Sequence, residues 1–231
     1  MKTLGLIGGT SWVSTIDYYR IINQIANEKM GGLNSAKLYL YSLNLAELNV
    51  LVEKNDWKGI AGLFCGIAHK LEQAGAEAVV ICANTPHKVA DEVQKAIKIP
   101  LIHIAEVTAK EVAKAGIRKA GLLGTKITME ENFFKDRLAK RGIETLIPED
   151  TNDRLFIDKS IFSELGKGIF TKEMKEKYLG IIDRLVERGA EGIIFGCTEI
   201  PLLIKPEECP IPVFDTALIH ARAAIDFALS G

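Results

Sequence analysis

Short apolar runs alternate with longer amphipathic stretches along the whole chain. The runs are TLGLI (3–7), AKLYLYS (36–42), EAVVIC (77–82), LIHI (101–104), KAGLLG (119–124), IETLI (143–147), EGIIFG (191–196) and PVF (212–214). Between them lie helical periods such as YYRIINQIANEK (18–29) and EVTAKEVAKAG (106–116), in which Val107, Val112 and the alanines share one face. Strands that are apolar throughout and separated by helices belong to parallel sheets covered on both faces. The pattern therefore predicts an α/β protein of the doubly wound kind.

A second pattern lies over the first. IAHKLEQAGAEAVVICANTPH (67–87) and IIDRLVERGAEGIIFGCTEIP (181–201) read as one stretch written twice. Placing Gly75 on Gly189, an offset of 114, aligns Ile67 with Ile181, Lys70 with Arg184 and Leu71 with Leu185. It also aligns Gly-Ala-Glu with itself. Upstream, LGLIGG (4–9) matches AGLLGT (120–125) at an offset of 116. Two matches at nearly one offset point to duplication of an α/β unit of about 115 residues. The expected arrangement is two pseudo-symmetric lobes, each a parallel sheet flanked by helices, facing each other across a cleft. Residues 1–104 plus 212–231 are expected in the first lobe and 105–211 in the second.

Composition narrows the functional classes. The chain has 231 residues, 48% hydrophobic and 26% charged, with a formal net charge of −1. That is ordinary for a globular protein with a sizeable core. It offers no basic field for nucleic acid and no polybasic anchor for a membrane. No run approaches eighteen apolar residues, and the N-terminus reads as a first strand and not as a signal peptide. A cytoplasmic protein is the expectation. The four cysteines (Cys65, Cys82, Cys197 and Cys209) form no C-x-x-C pair, so no zinc or thioredoxin motif is indicated. In a reducing compartment free thiols are the default.

In open parallel sheets, ligands bind beyond the carboxyl ends of the strands. Those ends carry GGTSWVST (8–15), CANTPH (82–87), GTKITM (124–129) and GCTEIP (196–201), all small and polar. Cys197 follows a buried strand and precedes an expected helix, whose N-terminal amides would favour a thiolate. Its alternative role is a small apolar residue filling a strand end. With the offset of 114, Cys197 falls opposite Ala83 and Cys82 falls opposite Gly196. A slip of one residue turns a side chain to the other face of a strand. Cys82 is thus not the register twin of Cys197, although a twisting strand end leaves it a route to the cleft. Asn84, Thr85 and Thr198 can hydrogen-bond a carboxylate, or cap helices and turns. His87 in the first turn of a helix can meet a ligand or solvent; Lys126 and Arg20 can bind anions or lie on the surface. Glu199 suits a helix start. Cys65 and Cys209 read as structural. GLIGGT is not a dinucleotide fingerprint, GTK lacks the upstream glycine of a P-loop, and neither H-E-x-x-H nor G-x-S-x-G occurs.

Taken together, GGTSWVST, CANTPHKVA, GTKITM and GCTEIPLLI resemble the aspartate/glutamate racemase superfamily, over essentially the whole chain. The resemblance implies amino-acid racemisation without pyridoxal phosphate, often in homodimers, with a final helix near TALIHARAAIDFAL (216–229) packing on the first lobe. It implies one cysteine on each side of the substrate α-carbon, one thiolate taking the α-proton and the opposite thiol returning one. It places Thr10, Ala83, Asn84, Thr85, Thr125, Thr198 and Glu199 against the substrate, with Cys197 as acid and base. It also exposes a departure. The first-lobe cysteine of the family stands directly before Asn-Thr, where this chain has Ala83, with Cys82 one position earlier. Some relatives carry threonine there; alanine has no proton to give. Thr10 stands where methionine is expected. The leading expectation is a racemase of aspartate or glutamate, with Cys197 facing either Cys82 or a water beside Ala83. The alternatives are a one-cysteine decarboxylase or isomerase of a dicarboxylate, and a dicarboxylate-binding protein without turnover.

Overall fold

The structure, a computed structural model, describes residues 1–230. Each apolar run forms one strand. These are β1 (Leu4–Gly8), β2 (Leu38–Ser42), β3 (Ala78–Ile81), β4 (Leu101–Ile102), β5 (Lys119–Gly124), β6 (Glu144–Leu146), β7 (Gly192–Gly196) and β8 (Val213–Asp215). β4 is the shortest because the LIHI run turns into a helix at Ile104. The strands form two parallel four-stranded sheets of the same order, β2-β1-β3-β4 and β6-β5-β7-β8. Leu4 pairs with Ala78 in the first sheet and Ala120 with Gly192 in the second, which reproduces the two offsets read from the sequence.

The described residues divide into two compact units, residues 1–104 with 220–230 and residues 105–219. The return to the first unit comes eight residues later than residue 212, the position the sequence suggested. The PVF run is the reason. It pairs with β7 as β8, so the second sheet is complete only after it. The helix Thr216–Leu229 then carries the chain into the first unit, where the Lys2 amide donates to the Ala228 carbonyl at 2.8 Å.

Each unit has its own core. In the first, Ile60, Phe64 and Ile67 of the helix Trp57–Gln73 pack on Val79 and Ile81 of β3. In the second, Tyr178, Ile181 and Leu185 of the helix Lys172–Glu187 pack on Ile193 and Phe195 of β7. Spacings of three, four and seven put those residues on one helical face. Each fully buried side chain of this size contributes about 1.5–3 kcal/mol. The Gly-Ala-Glu repeat ends both helices. Gly75 and Gly189 adopt φ of +97° and +91°, which an L side chain resists. The glutamates then do one job twice. Glu77 Oε2 accepts from the Thr3 amide at 2.7 Å, and Glu191 Oε2 accepts from the Arg118 amide at 2.7 Å. Each carboxylate thereby pins the entry to the neighbouring central strand.

Candidate active site

The candidate residues fall at the carboxyl ends of the strands, one set in each unit. In the second unit, β5 and β7 close tightly just before Cys197. A Cβ on Gly124 would lie 2.6 Å from the Gly196 carbonyl oxygen, so this crossing admits glycine. Cys197 follows, 6% exposed. Its Sγ donates to Glu199 Oε2 at 2.9 Å, and Thr198 Oγ1 donates to the same oxygen at 2.8 Å. Glu199 is itself buried, at 4% exposure. A thiol, a hydroxyl and a carboxylate thus form one enclosed network on three successive residues.

That network reverses an expectation. The helix after Cys197 spans only Ile200–Leu203, and the pull of the amides at its start toward a thiolate is outweighed. Burial pushes the Cys197 thiol well above its ordinary value, and the Glu199 charge and hydrogen bond push it further. The amides of Glu199 and Thr198 pull the other way and lose. The resting group is a thiol whose proton faces a carboxylate. Because Glu199 raises the thiol pKa, Glu199→Gln is expected to lower it. The pH midpoint for alkylation of Cys197, followed by peptide mass spectrometry, should move to lower pH, while burial keeps it above that of a free cysteine, about 8.5. An unchanged midpoint would mean that Glu199 does not act on the thiol.

In the first unit, Cys82 and Ala83 occupy the register positions of Gly196 and Cys197. β1 and β3 pair up to Ile7 and Ile81, and the Cys82 amide continues the ladder to the Ile7 carbonyl at 2.9 Å. Cys82 is 1% exposed, and its Sγ turns back to the Val80 carbonyl at 3.8 Å. Burial drives its pKa far above the ordinary range. Asn84 is buried, and Thr85 opens the short 3-10 helix Thr85–Val89. Near β1, Thr10 Oγ1 is buried with no hydrogen-bond partner, a costly state for a hydroxyl unless a ligand or water meets it. Thr125 in the second unit is already engaged. Its hydroxyl caps the helix Lys126–Glu130, accepting from the Thr128 amide at 3.2 Å. Lys126 and Arg20 are solvent-exposed, and Arg20 pairs with Asp17. Cys65 and Cys209 are half-buried free thiols. Among the described residues, no group of three or more His, Cys, Asp or Glu side chains is placed to hold a metal ion, and no helix is long and apolar enough to cross a membrane.

Sequence reasoning undervalued the histidines. His87 is not solvated; it is 2% exposed. Its Nδ1 lies 2.7 Å from the Ala83 carbonyl, and its Nε2 accepts from the Ile104 amide at 3.2 Å. His220 Nε2 lies 2.6 Å from the Ile102 carbonyl and Nδ1 lies 2.8 Å from Tyr18 Oη. Burial, with neighbouring histidines, holds both rings neutral, His220 down to about 3. The carbonyls of Ala83 and Ile102 favour the charged rings but are outweighed. An unfolded chain protonates its histidines near pH 6.5. The stability these rings contribute is therefore complete above that pH and lost as pH falls below it. Unfolding free energies from urea titrations should drop below pH 6.5 with a slope of up to about 1.4 kcal/mol per pH unit for each ring. His220→Gln should flatten the slope; an unchanged slope would place the acid sensitivity elsewhere.

Residues 7–224 match the Asp/Glu/Hydantoin racemase family. A crystal structure from Yersinia pestis, assigned provisionally as an Asp/Glu racemase, is 49% identical, covers 100% of both chains and superposes with a TM-score of 0.93. An aspartate racemase homologue from Pyrococcus horikoshii OT3 is 38% identical over 99% of both chains, with a TM-score of 0.85. The broad-specificity amino-acid racemase RacX of Bacillus subtilis is 23% identical over 163 residues, 71% of this chain and 70% of that protein. This sequence, with its two parallel sheets, belongs to the Asp/Glu/Hydantoin racemase family.

Proposed function

We propose that this protein is a racemase of an acidic amino acid, aspartate or glutamate, working without pyridoxal phosphate, in which Cys197 moves the α-proton. The observation that carries the proposal is the enclosed Cys197–Glu199 pair at the end of β7. Glu199 receives the thiol proton. The thiolate then takes the α-proton, and the C–H electron pair passes into the substrate carboxylate as the carbanion forms. Thr10, Asn84 and Thr85 supply hydrogen bonds to the substrate, stabilising that charge, while Thr198 keeps its hydroxyl on Glu199. Reprotonation from the same thiol gives back the starting enantiomer. Reprotonation on the other face inverts it, and in place of a thiol at Ala83 a water molecule delivers that proton. Cys82, enclosed in the first core, takes no part, so Cys82→Ala should leave the rate within about twofold; a large loss would return Cys82 to the chemistry. Each enantiomer of aspartate and glutamate, incubated and separated by chiral chromatography, tests the proposal. Inversion of at least one supports it, and inversion of none contradicts it.

Ala83 also favours a second reading. A site with one thiol suits one-sided protonation, as when a malonate-type dicarboxylate loses carbon dioxide and its carbanion takes a proton from Cys197. Carbon dioxide release from such acids, without inversion of amino acids, would select it.

A homodimer is part of the proposal, and its contact surface is the first unit's apolar stripe. Trp12, Ile16 and Tyr19 share one face of the helix Trp12–Met30 and are 66%, 56% and 52% exposed. The edge strand β2 adds exposed Tyr39, Leu40 and Tyr41. Exposed apolar side chains gathered on one helix face, as here, mark an interaction site. Light scattering should give twice 25.4 kDa for the native chain and a monomer for Ile16→Asp with Tyr19→Asp. A monomeric native chain would contradict the proposal.

A further inference from the structure

The strand ladder of the first unit ends with the Cys82 amide, and the Ala83 amide folds back onto the Ile81 carbonyl at 2.8 Å. The loop that follows carries Ala83, Asn84 and Thr85, and the His87 ring holds it. The 3-10 helix Thr85–Val89 returns the ring beneath its own loop, where Nδ1 meets the Ala83 carbonyl at 2.7 Å. A carbonyl only accepts, so Nδ1 carries the proton. Nε2 is then free to accept from the Ile104 amide at 3.2 Å, the last residue before the chain leaves the first unit. His220, the first residue of the returning chain, takes the opposite tautomer. Its Nε2–H donates to Ile102 and its Nδ1 accepts from Tyr18. The two rings meet edge to face at 5.5 Å, with His103 at 4.8 Å from His87.

A buried histidine with both nitrogens satisfied is also what plain core packing gives. The internal repeat separates the two accounts. At the offset of 114, His87 corresponds to Pro201, so the second unit builds the corresponding strand-end loop, leading into the helix Ile200–Leu203, without an imidazole. There the Cys197 carbonyl receives the Ile200 amide, at 3.4 Å. The fold does not need the histidine; the first loop alone has it. That loop is where the register twin of Cys197 has lost its acid, leaving Asn84 and Thr85 to act on substrate through position alone.

We infer that His87 is a positioning residue for the proposed reaction: its Nδ1–H tautomer clamps the Ala83 carbonyl and thereby sets the Asn84–Thr85 turn against the chain segment at Ile104. The inference rests on the racemase reading. Misplacement by about 1 Å of groups that orient a substrate costs up to about a hundredfold in rate.

Two measurements on the full chain test it. Long-range proton–nitrogen spectra of the four histidines at pH 7.5 should show His87 as the Nδ1–H tautomer and His220 as Nε2–H. His87 as Nε2–H or as imidazolium overturns the clamp whatever the activity. In α-proton exchange, His87→Leu removes the donor and should lower kcat by about ten- to a hundredfold. His87→Asn, whose amide nitrogen can take the place of Nδ1, should recover to within about threefold, with the alkylation pH profile of Cys197 as in the native chain. Equal loss in both variants, or loss in neither, overturns the positioning role. Should His87→Leu not fold, His87→Asn with native kcat beside the Nδ1–H spectrum supports the clamp, and a Nε2–H spectrum sinks it. A native chain that exchanges no substrate proton overturns the racemase reading instead, and the positioning role falls with it.

Discussion

Cys197→Ser is expected to cut α-proton exchange on aspartate and glutamate by about a thousandfold or more, with the fold intact. A positioned acid–base group contributes roughly a hundred- to ten-thousandfold. A serine hydroxyl at this place can still donate to Glu199 but cannot release its proton to become a base of useful concentration. The structural cost is small, because oxygen replaces sulfur at a site already bearing a hydrogen-bond acceptor. Thermal melting within a few degrees of the native chain would confirm that the loss is chemical. Exchange that persists in Cys197→Ser would move the base elsewhere, with Glu199 the first candidate.

Ala83→Cys is expected to act in the opposite direction. Ala83 is the register twin of Cys197, in the repeat and in the strand pairing alike. The native chain should exchange α-protons faster than it inverts them, because one thiol serves one face. A thiol at Ala83 should raise the ratio of inversion to exchange by about tenfold or more, within the range a positioned acid supplies. Ala83→Thr should give a smaller rise, since a hydroxyl is the weaker acid. The site is 8% exposed, so one added sulfur risks overpacking of about 1–3 kcal/mol. Melting of the variant separates that cost from the chemistry. An unchanged ratio in a folded variant would mean that the first loop does not deliver the second proton.

All eight strands were legible in the sequence as short apolar runs; the central strands β1, β3, β5 and β7 are buried almost throughout, whereas the edge strands keep enough apolar positions to be read although β2 is largely exposed. The internal repeat carried further. Offsets of 114 and 116 anticipated that Ala83, and not Cys82, matches Cys197, and the sheet pairing has the same register. Three features were hidden for physical reasons. The Cys197 environment was read from a helix start, but the helix is a single turn, and burial, with a buried carboxylate two residues on, outweighs its amides. The return to the first unit at His220 was hidden because a three-residue strand looks the same whichever sheet completes its ladder. Glu77, Glu191 and the His87–His220 cluster depend on partners as far as 202 residues away, beyond the reach of local pattern. The one available signal was that Gly-Ala-Glu recurs intact, whereas glutamates on a solvated face need not.

Proton NMR in deuterated water, with L- and D-aspartate and L- and D-glutamate presented to the native chain and to Cys197→Ser, tests the central claim most directly. The account predicts loss of the α-proton signal from at least one of these with the native chain, and a stable signal with Cys197→Ser. No loss with any of the four at saturating substrate, or equal loss with both proteins, would contradict it.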